Sequence, residues 1–177
     1  MKRGKQRTAA RERTICVGVV DVVVAVGSAP TAARVRAWTR LLLSKAGAKR
    51  PLRASLSILL CGDARMRSLN RRFRHIDRPT DVLSFLPFAE SSSSSSSSSS
   101  FSSPSDSFLG DLVIDVPYAA RQARRRGHTL AREVQILLAH GLLHLLGYDH
   151  EEDDGTMFQR QRQILLSAFG EGPDGVP

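Results

Sequence analysis

The sequence predicts one domain that mixes strands and helices, and three observations lead there. The chain has 177 residues, a length that a single hydrophobic core can serve, since such cores extend to about 250 residues. Short apolar runs rich in β-branched residues alternate with segments whose apolar residues recur at helical spacing. One helical segment, around residues 134 to 146, is apolar nearly all round in its second half and therefore belongs in the core.

Taken in order, residues 1–13 carry Lys2, Arg3, Lys5, Arg7, Arg11 and Arg13 against the single acid Glu12, with no apolar periodicity. A disordered basic arm is expected. It has the arginine-rich, acid-poor character of an organellar transit peptide but is short for one. The domain proper is expected over residues 14–170. Residues 14–26, rich in valine, read as one long strand or two short ones. Pro30 suits the first turn of a helix whose Val35, Trp38 and Leu42 recur at helical spacing, with Gly47 as its stop. Residues 55–61 form a second strand. Asp63 is placed to cap the next helix, with Met66, Leu69 and Phe73 on its apolar side.

Turn chemistry at Arg78, Pro79, Thr80 and Asp81 leads into a short strand at 82–85. Ser91 opens an unbroken serine tract that continues with few interruptions to Ser107. Such a segment has nothing to bury, so residues 90–107 are expected as a disordered loop inside the domain. Residues 110–116 form the next strand of the same sheet. A short helix at 117–126 presents Tyr118, Ala119 and Gln122 on one side and ends at Gly127, with Arg121, Arg124, Arg125 and Arg126 clustered near that end. Thr129 caps the core helix. Glu151, Glu152, Asp153 and Asp154 then place negative charge at the start of a last helix with Met157, Gln161, Ile164, Leu165 and Ala168 as its stripe. Gly170 closes it, and 171–177 read as a frayed tail.

Composition narrows the class of function. No window holds 18 uninterrupted apolar residues and the first residues lack a secretory signal, so an intracellular, unsecreted protein without a membrane span is expected. Cys16 and Cys61 sit in strand-like apolar runs and read as buried small hydrophobes. The net charge of +9 and pI of 10.7 suggest a polyanionic partner. Arginine outnumbers lysine 22 to 4, a skew that a GC-rich genome also produces, so the placement of charge has to decide. Arg65, Arg67, Arg71, Arg72, Arg74 and Arg78 crowd one short stretch with only Asp77 against them. That density favours phosphate contact over a merely solvated face.

The chemistry centres on His140, His144 and His150. A helix brings positions i and i+4 onto one face, so His140 and His144 can reach one metal ion. His150 lies roughly 240° further round a helical period, so the chain has to leave the helix, and Gly147 permits that exit. Three histidines in a leucine-lined interior are harder to explain as packing than as ligands. Zinc is favoured, because three imidazoles leave one tetrahedral position open; copper and nickel also accept imidazole. A zinc peptidase carries glutamate next to the first histidine, and here that position is Gly141. The arginines fit a phosphodiester substrate instead.

The run from His140 to His150, H-G-L-L-H-L-L-G-Y-D-H, resembles the signature of the YbeY family of zinc endoribonucleases, as do residues 69–85, L-N-R-R-F-R-H-I-D-R-P-T-D-V-L-S-F, and 109–114, L-G-D-L-V-I. That resemblance implies an α+β fold, a single domain with a small mixed β-sheet packed with helices around a central metal-bearing helix. It implies one zinc ion on His140, His144 and His150, cleavage of single-stranded RNA in ribosomal RNA processing and ribosome biogenesis, and Arg74 as the functional arginine at the edge of the metal cleft. The general base stays open between Asp111 and Asp149. The expected partners are ribosomal or precursor rRNA, with ribosomal proteins as further candidates and no membrane. Chloroplast or mitochondrion is the expected location for a eukaryotic gene, to which the serine insert points, and cytoplasm for a bacterial one. Two alternatives stand beside this: a non-catalytic, zinc-stabilised ribosome-assembly factor, and a zinc hydrolase of peptides or small molecules, which Gly141 disfavours.

Overall fold

A computed structural model describes residues 15–27, 29–46, 52–87, 107–148 and 155–170. The expectations for the arm at 1–13, the serine-rich loop at 90–107 apart from Ser107, which opens a strand, the tail at 171–177, the helix stop at Gly47, the acids at 151–154, and Asp149 and His150 lie outside the described residues, as does the side chain of Cys16. The elements run β1 (Ile15–Val24), α1 (Ala32–Lys45), β2 (Leu52–Cys61), α2 (Asp63–Arg74), β3 (Val82–Phe85), β4 (Ser107–Asp115), α3 (Val116–Arg126), α4 (Leu130–Leu145) and α5 (Thr156–Phe169). The strands form one sheet in the order β1-β2-β4-β3. β1, β2 and β4 are parallel, and β3 pairs antiparallel with β4. This is the small mixed sheet of an α+β domain, as the family resemblance implies. No helix among the described residues is long and apolar enough to cross a membrane.

Because side chains alternate across a strand, the sheet divides into two faces. Val20 and Val22 of β1, Leu56, Ile58 and Leu60 of β2, and Leu112 and Ile114 of β4 are buried together under α1, α4 and α5. The opposite face carries Asp21 and Val23, Ser57 and Leu59, Asp111 and Val113. Among the described residues it is covered in part, by Met66 and Leu69 of α2 packed with Cys61, Leu83 and Val113. Burial pushes the Cys61 thiol up to about 11, with the nearby Asp115 carboxylate adding to the shift. It is the inert buried cysteine expected.

Helix ends depart from expectation in three places. Pro30 precedes α1 instead of sitting in its first turn; Thr31 is the N-cap, accepting from the Arg34 amide. Asp63 is the first residue of α2, and Gly62 holds the cap position. Strand β2 continues to Cys61, so the turn into the helix falls one residue earlier than Asp63, whose carboxylate instead pairs with Arg121 at 2.5 Å. The third is the start of α3, expected at 117 after a strand reaching 116: the helix begins at Val116, and Asp115 caps it by accepting from the Tyr118 amide at 3.0 Å. Thr129 caps α4 as expected. The junction of α3 and α4 is clamped by fully buried Glu133, which accepts from Arg126 at 2.8 Å and contacts His128.

Candidate active site

Helix α4 is the central helix, with Val134, Leu138, Leu142 and Leu143 buried against the sheet and its neighbours. It passes close to the sheet at Gly141. A Cβ there would lie 2.1 Å from Cδ1 of Leu112 and 3.1 Å from Oγ of Ser84. The position next to the first histidine therefore has no room for the glutamate of a zinc peptidase, which gives a packing reason for the Gly141 already noted in the sequence.

His140 and His144 are half-buried on α4, with ring centroids 4.7 Å apart and planes at 80°. Their Nε2 atoms converge to 3.2 Å. Two nitrogens on a tetrahedral zinc at bonds of about 2.0–2.1 Å stand roughly 3.3 Å apart, so the pair fits the ion. The Nδ1 atom of His140 lies 3.1 Å from Oε1 of Gln161 on α5. An amide oxygen only accepts, so Nδ1 carries the proton and donates, which leaves the Nε2 lone pair directed towards His144. Phe158, also on α5, sets its ring 6.4 Å from that of His140. Sequence reasoning placed Gln161 in an apolar stripe and missed its role; a polar side chain in the middle of such a stripe was the available signal.

After His144 the chain leaves the helix as expected. Gly147 takes a left-handed φ of 86° and its amide donates to the His144 carbonyl at 2.9 Å, while the Tyr148 amide donates to Leu143 at 3.0 Å. Among the described residues the histidines form a pair, and no group of three or more metal-ligating side chains gathers. His150 lies outside those residues.

Arg74 is the last residue of α2 and is exposed. His75 follows in the left-handed conformation, φ 60°. The loop beyond is pinned at several points: buried Asn70 donates to the Arg78 carbonyl at 2.7 Å, Gln122 donates to Asp81 at 2.9 Å, and the Asp115 amide donates to the Asp81 carbonyl at 2.9 Å. Arg67 forms a two-bond pair with Asp77 at 2.7 and 2.9 Å and holds its carboxyl below the usual range. Arg67 is thus occupied, whereas Arg65, Arg71, Arg72, Arg74 and Arg78 make no ion pair among the described residues.

The site residues do not all share a face. α4 packs on the Leu112 face and α2 on the Val113 face, with β3 at the edge between them. Ser84 Oγ reaches the Gly141 carbonyl at 3.4 Å on one side, and Phe85 meets the Phe73 ring at 4.9 Å on the other. Asp111 faces the α2 side, away from the histidines.

The structure is thus a mixed-sheet α+β domain whose central helix converges two imidazoles. The sequence profile of the family described as Endoribonuclease YbeY matches residues 25–168. The chain is 42% identical over 134 residues to Endoribonuclease YbeY of Synechococcus sp. (strain JA-2-3B'a(2-13)), spanning 75% of this chain and 78% of that one. It is 44% identical over 121 residues to Endoribonuclease YbeY of Bacillus mycoides (strain KBAB4), spanning 67% and 75%. Its fold is like the solution structure of TM1509 from Thermotoga maritima, with a TM-score of 0.53 and 23% identity, over 86% of this chain and 91% of that one. The chain belongs to the YbeY family.

Proposed function

We propose that this chain is a zinc-dependent endoribonuclease that cleaves single-stranded RNA in ribosomal RNA maturation. The observation that carries the metal half is the 3.2 Å approach of the two Nε2 atoms, with Gln161 fixing the tautomer of His140. The relatives named Endoribonuclease YbeY support the reaction. His140, His144 and His150 are the ligands. A zinc ion held by these three neutral imidazoles would keep its full charge and would supply water activation near neutral pH or Lewis acidity towards a phosphoryl oxygen.

The remaining work falls to the chain's own side chains. Arg74 binds the scissile phosphate and offsets the negative charge that builds on it; a guanidinium supplies two parallel donors for that purpose. Gln161 keeps His140 aimed. Residues 14–170 form the catalytic domain, and the partners are ribosomal or precursor rRNA. Asp149, next in the chain to His150, remains the candidate to orient a ligand or take a proton. The serine insert supports a chloroplast or mitochondrial location.

Cleavage of single-stranded RNA by the purified chain tests this. Removal of zinc and His144→Ala each abolish cleavage, and Arg74→Ala reduces it by about a hundredfold, an effect of the size expected for one transition-state donor. His144→Ala stays folded by circular dichroism; unfolding would instead assign zinc a structural role. Undiminished cleavage in both Arg74→Ala and the zinc-free protein would exclude the mechanism.

A further inference from the structure

The half-covered face of the sheet contains a groove of about 720 Å³, within the range of about 300–1,000 Å³ typical of small-ligand sites. Its floor is set by strand register. Asp21 pairs with Ser57, Ser57 with Asp111, and Asp111 with Phe85, so these four form one row across all four strands. Two strand spacings of about 4.8 Å put the carboxylates roughly 10 Å apart, too far to share a metal ion. No hydrogen bond or ion pair joins Asp21, Ser57 or Asp111 through its side chain to another described residue. One wall is the α2 stripe of Arg65, Leu69 and Phe73, and Phe108 closes another side. Val23, Phe73 and Phe108 are 54%, 49% and 40% exposed, an unusual concentration of open apolar surface.

We propose that this groove is a nucleotide subsite of the RNA substrate that selects an unpaired base bearing an amino group, with Phe73 and Phe85 as its stacking surface, Asp111 as the acceptor for the amino group, and Arg65 as a phosphate contact. This rests on the ribonuclease function proposed above. The ligand has to be anionic at one edge and donate hydrogen bonds at the other, because the wall is cationic and the floor acidic. A nucleotide has both properties. A basic peptide would match only the floor and would be repelled by Arg65, Arg72 and Arg74 and by a chain of net charge +9. Cytosine presents its N4 amino group to a carboxylate, whereas uracil presents a carbonyl at the same position. Strand β3 connects the two sites: Phe85 faces the groove and its neighbour Ser84 faces the histidine helix, so one RNA strand crossing this edge reaches both.

The test is fluorescence anisotropy with the zinc-loaded full chain and short labelled oligocytidylate and oligouridylate carrying 2′-O-methyl riboses, at one fixed salt concentration. Oligocytidylate is expected to bind at least about tenfold more tightly, the discrimination of one specific base contact. Asp111→Asn, whose amide can donate to uracil, collapses that preference. Phe73→Ala weakens both oligonucleotides equally, by about five- to a hundredfold, as loss of a stacking partner does. Equal affinity for both, or a preference untouched by Asp111→Asn, overturns the proposal. So does an arginine-rich peptide that binds the parent and not Asp111→Asn while RNA binding is unchanged. Zinc-dependent cleavage without base preference would remove the subsite and keep the ribonuclease; base preference without zinc-dependent cleavage would do the reverse.

Discussion

The two faces of the sheet are built from the same three parallel strands and treat their side chains oppositely. On one face every even-numbered position from Leu56 to Leu60 and from Leu112 to Ile114 is closed over by α1, α4 and α5. On the other, Asp21, Ser57 and Asp111 occupy the alternate positions and remain accessible beside exposed Phe73 and Phe108. A strand can be apolar on one side for stability and polar on the other for recognition, because neighbouring residues point to opposite faces. The comparison also separates the histidines, whose helix belongs to the closed face, from Arg74 and its arginine neighbours, whose helix belongs to the open one.

The sharpest way to break this contrast is to substitute one residue on each side. Leu138→Ala on α4 leaves a cavity under a fully buried side chain and costs about 2–5 kcal/mol in urea unfolding, whereas Asp21→Asn on the open face changes stability by no more than about 0.5 kcal/mol. A near-equal cost would mean that the open face is packed too. Next in size is the support that α5 gives the metal site. Gln161→Leu lowers zinc affinity, measured by competition with a chromogenic chelator, by about 10- to 100-fold, and Gln161→Glu recovers most of it, since both Gln and Glu offer the acceptor that His140 needs. Recovery in Gln161→Leu itself would show that the ring needs no partner.

A third effect comes from a carboxyl at the sheet's end. Burial pushes Asp115 from the ordinary 3.8 up to about 6, with the neighbouring Asp63 carboxylate adding to the shift. Asp63 itself is held low by Arg121. A raised folded-state pKa favours the protonated form, so the stability Asp115 contributes is complete below about pH 4 and is lost as the pH rises through about 6. Asp115→Asn keeps an acceptor for the Tyr118 amide and removes the ionisation. Thermal unfolding should show a loss of roughly 1–3 kcal/mol between pH 4 and 7 in the parent that the variant lacks.

Much of the fold was legible in the sequence because its signals are local. The 3.6-residue spacing of Val35, Trp38 and Leu42, the valine run of β1 and the Thr129 cap each depend on neighbours a few residues away. The strand at 82–85 fell where the turn residues put it. Asp63 was misread as a cap because capping chemistry does not say which residue the preceding strand gives up. The convergence of His140 and His144 was legible for the same local reason. Long-range features were not: the Asp21, Ser57, Asp111 row joins residues ninety positions apart, and no property of Asp111 alone reveals which face it takes. Gln161 reads as one more member of a helix stripe until α5 is laid against α4.

Both strands that flank β2 shift register beside Ser55, β1 between Val17 and Val19 and β4 between Phe108 and Gly110. Gly110, at φ 140°, occupies a spot where a Cβ would fall 2.4 Å from the Phe85 carbonyl and 2.7 Å from Leu145. One extra residue at each bulge offsets the pairs before it by one position from the rows that follow. The serine tract begun at Ser91 joins β4 on the near side of this joint. Asp111, Leu112 and the contact with Gly141 thus lie beyond the joint from the point where the serine tract enters the strand, and their rows take their register from β2 and β3.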